Sequence, residues 1–334
     1  EWFENELIRS AISMAGINHL SFGPFAAGTG YNLLHQHVHG NGVFHNSQFV
    51  KGGTGQIAQV LTSVAESNNV VIRTGSKVKS IDVENGRCIG ISLTGGELIQ
   101  ADRVVSGLDP KNTFMNLVGT SNLNPNFHTQ LNNIRYRGST ARVHFALNKL
   151  PEINGIFKDQ MKTVFSIGPS IKYQERASDS VKYGTIAHNP TVEFTIPSMI
   201  NHEFAPDGKH VLSATIQYAP YHLRDQVWSS KLNEQIKNNV VRVLDNYIPD
   251  FSSLIEATSV ISPKDLEDEF GLTEGNLNHG EMTLDQFFFM RPTMSTAQYK
   301  SPIENLYLCG PGTHPGGGLH GANGFNAARE ILKG

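Results

Sequence analysis

Cysteine is nearly absent. Only Cys88 and Cys309 occur in 334 residues, too few for a disulfide framework. Both fall in stretches that read as strands, so a reducing compartment, the cytoplasm, is expected. Long apolar runs are missing as well. Nothing approaches the roughly 18 apolar residues of a membrane-spanning helix, and the cluster Phe287-Phe288-Phe289-Met290 is short enough for a core or a greasy pocket. There is no excess of positive charge: 27 Lys and Arg stand against 30 Asp and Glu, with no basic face or tail, which argues against a nucleic-acid partner. No G-x-S-x-G elbow and no C-x-x-C is present, so the common nucleophilic and dithiol chemistries lack their signatures. Internal repeats and low-complexity runs are absent too. With 39% hydrophobic and 17% charged residues the chain is globular rather than disordered or fibrous, and long enough for about two domains. Its first residues, Glu1-Trp2-Phe3-Glu4, contain no initiator Met and no signal-peptide pattern. They read as the interior of a helix, and the expectation is a fragment whose natural start lies upstream.

Glycine, in contrast, is concentrated where it matters. Asn305-Leu306-Tyr307-Leu308-Cys309 leads into Gly310-Pro311-Gly312-Thr313-His314-Pro315-Gly316-Gly317-Gly318-Leu319-His320-Gly321, followed by small residues at helical spacing. That is strand, glycine-rich loop, helix. Glycine lets a ligand approach the main chain, and a helix starting near His320 would aim its unpaired N–H groups and positive dipole end into the same gap. The construction suits a large, partly anionic ligand.

Earlier in the chain, Phe3, Leu7, Ile8, Ala11, Ile12 and Ala15 predict one face of an amphipathic helix ending near Gly16. Four histidines, His35, His37, His39 and His45, follow within eleven residues. On a strand the first three share a face; on a helix only His35 and His39 do. No acidic residue or cysteine stands nearby to complete a zinc site, so no metal is expected and polar lining of a cleft or a helix end is preferred. Gly53-x-Gly55-x-x-Ala58 formally fits a dinucleotide fingerprint, but the strand before it is weak and the segment Val70-Val71-Ile72-Arg73 beyond it offers no acid. From 70 to 106 five short strands are predicted, with hairpin signals at Asn85-Gly86 and Gly95-Gly96. Between 111 and 299, β-formers at 141–147, 163–168, 191–196 and 211–217 predict a larger antiparallel sheet, and 227–247 predicts one amphipathic helix. The apolar tract Met282 to Met294 reads equally well as core or as the lining of an apolar pocket.

With these segments in view the chain resembles the phytoene desaturase-like FAD-dependent oxidoreductases, and in particular the pyridine nucleotide-disulfide oxidoreductase domain-containing group. The most specific match is Leu306-Tyr307-Leu308-Cys309-Gly310-Pro311-Gly312-Thr313-His314-Pro315-Gly316-Gly317-Gly318. Gly52-Gly53-Thr54-Gly55, Val105-Ser106-Gly107-Leu108-Asp109-Pro110 and Phe289-Met290-Arg291-Pro292 support it. The resemblance implies an α/β and α+β fold: the C-terminal portion of a two-domain, Rossmann-like FAD/NAD(P)-binding flavoprotein with an antiparallel-sheet substrate domain. Residues 1–50 would be a helical part of the substrate domain, 51–110 and 300–334 a partial FAD domain, and 111–299 the rest of the substrate domain. It assigns Gly53-x-Gly55-x-x-Ala58 to an internal helix rather than to an NAD(P) site.

The cofactor implied is FAD. Val78 would offer main-chain contacts to adenine, Gly310, Pro311, Gly312 and Thr313 would follow the ribityl chain, and Gly317, Gly318, Leu319 and Gly321 would approach the isoalloxazine. The family's N-terminal pyrophosphate loop is not among these residues, so weakened FAD binding is expected of residues 1–334. The activity implied is hydride transfer from an apolar small molecule to flavin, by desaturation, dehydrogenation or redox isomerisation. His314, Arg291 and His35 are the polar residues placed near the cleft. For His314, holding the loop and moving a proton are equally open. A non-catalytic flavoprotein-like module binding an apolar ligand or protein partner is the alternative, and a peripheral membrane or homo-oligomer contact is left open.

Overall fold

The computed structural model describes residues 2–37 and 49–333. In chain order these residues form α1 (Glu6–Ile17), α2 (Thr29–His37), α3 (Gly55–Ser67), β1 (Val78–Glu84), β2 (Arg87–Leu93), β3 (Leu98–Gln100), β4 (Val104–Ser106), α4 (Pro125–Asn132), β5 (Thr140–Leu147) and β6 (Phe165–Ile167). There follow α5 (Ile171–Tyr183), β7 (Thr191–Thr195), β8 (His210–Gln217), α6 (Ser230–Leu244), α7 (Phe251–Leu254), β9 (Ile255–Ile261), α8 (Pro263–Phe270), β10 (Leu306–Leu308) and α9 (Ala322–Ile331). No helix among them is long and apolar enough to cross a membrane.

The chain divides into two compact units. Unit 1 comprises Glu1–Arg73 and Ser139–Pro263, and unit 2 comprises Thr74–Gly138 and Lys264–Gly334. These limits differ from the boundaries read off the sequence: 51–73 join unit 1, whereas 111–138 and 264–299 join unit 2. Specific contacts explain the first shift. Gly52 N donates to Asn201 Oδ1 at 2.8 Å, Asn201 Nδ2 donates to Val50 O at 3.2 Å, and Gly53 lies against the Phe204 ring.

Unit 1 is built on a five-stranded antiparallel sheet in the order β6-β7-β8-β5-β9. Alternation along β5 turns Ala141, Val143, Phe145 and Leu147 into the core, where α6 covers them with Leu232, Ile236, Val240, Val243 and Leu244. Phe145 and Phe251 meet edge to face at 5.2 Å. Each large side chain buried this way stabilises by roughly 2–3 kcal/mol.

Helix α1 is capped by Asn5, whose side chain accepts from Leu7 N and Ile8 N. Its buried face is Ser10, Met14, Gly16 and Ile17, not the predicted face, on which Phe3, Leu7 and Ile8 are exposed. The reason is polar. Gln174 of α5 donates to Ser10 O at 2.9 Å and accepts from Ser13 Oγ at 2.6 Å, and Ser10 Oγ bonds Gly168 O. These bonds turn a serine edge inward.

Unit 2 holds the predicted meander, β1-β2-β3, with Asn85, Gly86 and Gly96 at positive φ in its turns. Val70–Arg73, expected to be a strand feeding the meander, is not a strand, and Val70, Val71 and Ile72 are exposed. These residues have strand propensity but pair with no strand among the described residues. Separately, β4 and β10 run parallel, with Leu306 opposite Val104 and Leu308 opposite Ser106. Leu306, Leu308, Ile81, Phe114, Phe127 and Leu131 form the core beneath.

Candidate functional site

The parallel pair β4/β10 delivers the chain to the glycine loop. Cys309 N donates to Ser106 O at 2.9 Å, extending the pairing by one residue. A Cβ on the next residue, Gly310, would collide with Gly107 O and stand 3.2 Å from His279 Nδ1. Only glycine lets the strand leave so close to its neighbour. The turn then closes on itself, because Thr313 donates to Gly310 O through N at 3.0 Å and through Oγ1 at 2.9 Å.

Three side chains from outside the loop hold its main chain. Asn323, in the first turn of α9, donates to Thr313 O at 2.9 Å, and Tyr299 Oη donates to His314 O at 2.8 Å. Arg291 is 2% exposed. It donates from Nε to Pro311 O at 3.0 Å and from its other nitrogens to Gln286 O at 3.3 Å, Gly280 O at 3.1 Å and Asn278 O. Its guanidinium thereby ties the loop to the segment 278–286. Gly316, at φ 109°, rests on Met282, and Gly317 on the Asn278 side chain.

A second buried polar layer supports this floor. Asp109 is 1% exposed and accepts from Asn112 N at 2.9 Å, Asn112 Nδ2 at 2.6 Å and Thr273 Oγ1 at 2.9 Å. Lys111 N donates to Tyr136 Oη at 3.1 Å, and burial, then Asp109, pushes the Tyr136 phenol well above its ordinary value. Burial lowers His279, which is pulled the other way by Asp109 and lowered further by Arg291; burial and then Arg291 lower His314. Both imidazoles are therefore neutral near pH 7, while Arg291, lowered by burial to about 10, stays charged.

The loop fits a flat, partly anionic group such as FAD. Gly310, Gly316 and Gly317 form a cradle with no room for Cβ atoms, and Gly318, Leu319 and Gly321 are exposed at its crest. The N-terminus of α9 follows directly after Gly321, at φ 65°. Asn278 Nδ2 and His279 Nδ1 are buried beneath with no hydrogen-bond partner among the described residues.

Of the residues singled out from sequence, Arg291, His314, Val78 and the whole glycine loop lie in unit 2. Val78 opens β1 opposite Leu93. His314 is half-buried, with the Phe288 ring 6.3 Å away. His35 lies on α2 in unit 1. There the helix rules out the strand reading in which His35 and His37 share a face, and His39 and His45 fall outside the described residues. No group of three His, Cys, Asp or Glu among the described residues is arranged to hold a metal ion. Sequence reading missed Asn278, His279, Tyr299 and Asn323. The signal for the first two was present: Asn276-Leu277-Asn278-His279-Gly280-Glu281 is dense in polar residues, yet Asn276, Asn278 and Glu281 are buried.

Comparison with known proteins agrees with this geometry. The pattern of the family described as Flavin containing amine oxidoreductase matches residues 21–332. The chain is 31% identical over 345 aligned positions to pyridine nucleotide-disulfide oxidoreductase domain-containing protein 2 of Rattus norvegicus, covering all of this chain and 59% of that protein. It is 27% identical to a lycopene-forming phytoene desaturase of Paracoccus sp., covering 90% of this chain and 57% of that one. The chain thus spans less than two thirds of the length of these relatives. Among solved structures, an oxidoreductase from Methanosarcina mazei shares the fold with a TM-score of 0.55 at 18% identity, over 85% of this chain and 55% of that one. With its glycine loop, parallel strand pair and meander in place, the chain belongs to the flavin-containing amine oxidoreductases, a family of FAD-dependent oxidoreductases.

Proposed function

We propose that the protein oxidises a C–H bond of an apolar small molecule, as a desaturase, dehydrogenase or redox isomerase. FAD, when bound, supplies the acceptor for the hydride. The residues of this chain contribute position and electrostatics. Gly310, Pro311, Gly312 and Thr313 would lie along the ribityl chain, Gly317, Gly318, Leu319 and Gly321 would approach the ring, and the main chain at Val78 would meet adenine. Arg291 keeps the loop in the shape that accepts them. A neutral His314 imidazole either holds the loop or takes up a proton at the substrate, and His35 is the third polar candidate. The observation that carries this reading is the glycine cradle, open at its crest and held from beneath by a buried arginine.

An apolar substrate is supported by the exposed Leu284, Phe288, Phe289 and Met294 of unit 2 and by the phytoene desaturases among the relatives. The same exposed side chains would suit contact with a membrane surface or a second copy. A pyrophosphate-binding loop of the kind the family resemblance implies is not among these residues, so residues 1–334 alone are expected to hold FAD weakly. The test uses the full-length protein. It should purify yellow, bleach anaerobically with phytoene or another polyene precursor, and yield a product with one more double bond or a shifted one. A protein that stays colourless after soaking in FAD sinks the proposal and leaves a non-catalytic binding module.

A further inference from the structure

The five-stranded sheet of unit 1 has a second face that is polar. Opposite the core side chains, β5 presents Arg142 and His144. The register sets Arg142 beside Thr215 of β8, Thr215 beside Glu193 of β7, and His144 beside Ser213. Strands about 4.8 Å apart put the Arg142 and Glu193 positions roughly 10 Å from each other, across Thr215.

Arg142 is half-buried, and no hydrogen bond or ion pair joins it to a described residue. A guanidinium in that setting has lost part of its hydration without gaining an acceptor among the described residues, which is unfavourable unless an anion completes it. Its neighbours do not supply one. His19 is anchored by its N–H to Gln217 Oε1 at 2.8 Å and by its ring to Thr140 Oγ1 at 3.2 Å. Burial first and Arg142 second lower it to about 4, and the same two causes lower His144. Two neutral imidazoles, Thr215 on one side and the apolar Ile261 of β9 on the other thus neighbour the cation. The carboxyl of Glu193 sits two strands away, where burial raises it and Ser166 Oγ donates to it at 3.3 Å.

We propose that this face is a binding subsite for a carboxylate-bearing small molecule, with Arg142 receiving the carboxylate and Thr215 and His144 flanking it. The subsite stands on the sheet geometry alone.

Decanoate and decan-1-ol, which share a chain and differ in the head group, are the probes, and equilibrium dialysis against full-length protein is the measurement. Decanoate should bind at least about tenfold more tightly than the alcohol, the scale of one charge-assisted pair. Arg142→Gln should remove that preference and leave the alcohol unchanged, and Arg142→Lys should restore part of it. Because Arg142→Gln could fail to fold, Thr215→Asp serves as a second variant: a fixed carboxylate beside Arg142 must also displace decanoate. Equal binding of acid and alcohol, no decanoate binding at all, or full acid preference in a folded variant overturns the subsite. Decanoate selectivity in a protein that takes up no FAD would sink the oxidoreductase reading and leave the subsite standing.

Discussion

Asn323 Nδ2 lies 2.9 Å from Thr313 O, so the first turn of the C-terminal helix and the middle of the glycine loop are one hydrogen-bonded object. Asn323 is buried, and its loss leaves the Thr313 carbonyl without this donor. Asn323→Leu should therefore cost about 1–3 kcal/mol of loop order. The expected result is FAD affinity in the full-length protein lowered roughly tenfold to a hundredfold, read by fluorescence titration. An unchanged dissociation constant would detach the helix from the site.

Arg291 is the larger stake. Arg291→Met would leave buried carbonyls at Asn278, Gly280, Gln286 and Pro311 short of a donor, a loss on the order of 3–5 kcal/mol. Arg291→Lys keeps the charge and part of the bonding and should fall between. Thermal unfolding of both variants ranks them. Equal midpoints for the methionine variant and wild type would show that the clamp is dispensable.

His314 separates two roles. His314→Ala keeps the main-chain bond from Tyr299 to the residue-314 carbonyl but removes the imidazole. Lost turnover with full FAD content assigns the ring to proton transfer, and lost FAD assigns it to the loop. If content and rate both stay unchanged, His314 leaves the site.

Acid should weaken unit 1 through His19. Its folded-state value of about 4 lies below an ordinary histidine value of about 6.5, so the unfolded chain binds the proton more strongly. The stabilisation is complete above the unfolded value and is lost as pH falls from about 6.5 towards 4, to a limit of about 3 kcal/mol. Denaturant titrations across that window should show the fall, and His19→Gln should flatten it. An equally steep fall in the variant would shift the cause to another buried group.

Gly310→Ala tests the loop entrance. The added methyl collides with the main chain at Gly107, which is not a flexible side-chain end, so β10 must shift by some tenths of an ångström. A loss of about 1–3 kcal/mol is expected, and serine at the same position should be no better tolerated. Unaltered unfolding of Gly310→Ala would mean the strand pair yields freely.

What could be read in advance follows from how each element signals itself. The meander was legible because Asn85-Gly86 and Gly95-Gly96 specify tight turns, and the C-terminal loop because its glycines are dense. Helix α5 was not, since it buries Gln174, Ala177, Ser178 and Ser180, residues that leave no apolar stripe. Strand β9 escaped for a related reason: as an edge strand it keeps Glu256, Ala257 and Ser259 exposed, and the alternation breaks. In the site, glycines mark themselves by repetition, whereas Asn278, Tyr299 and Asn323 are single polar residues whose partners are set only by the tertiary fold. Arg291 was visible by its motif, but its burial and its carbonyl partners were not.

The acceptors that hold the glycine loop, the oxygens of Pro311, Thr313 and His314, are peptide carbonyls that every amino acid carries. Side-chain identity at those three positions is therefore not what these bonds require. The chemical information resides in the donors, Arg291, Asn323 and Tyr299, which belong to other segments. Mutational tolerance should be distributed accordingly: loop positions filtered by volume and backbone angle, distant donors filtered by functional group. A saturation scan with FAD retention as the selection would then show glycine alone at 310, 316 and 317, where no Cβ fits, and three remote positions that accept almost nothing but the residue they carry.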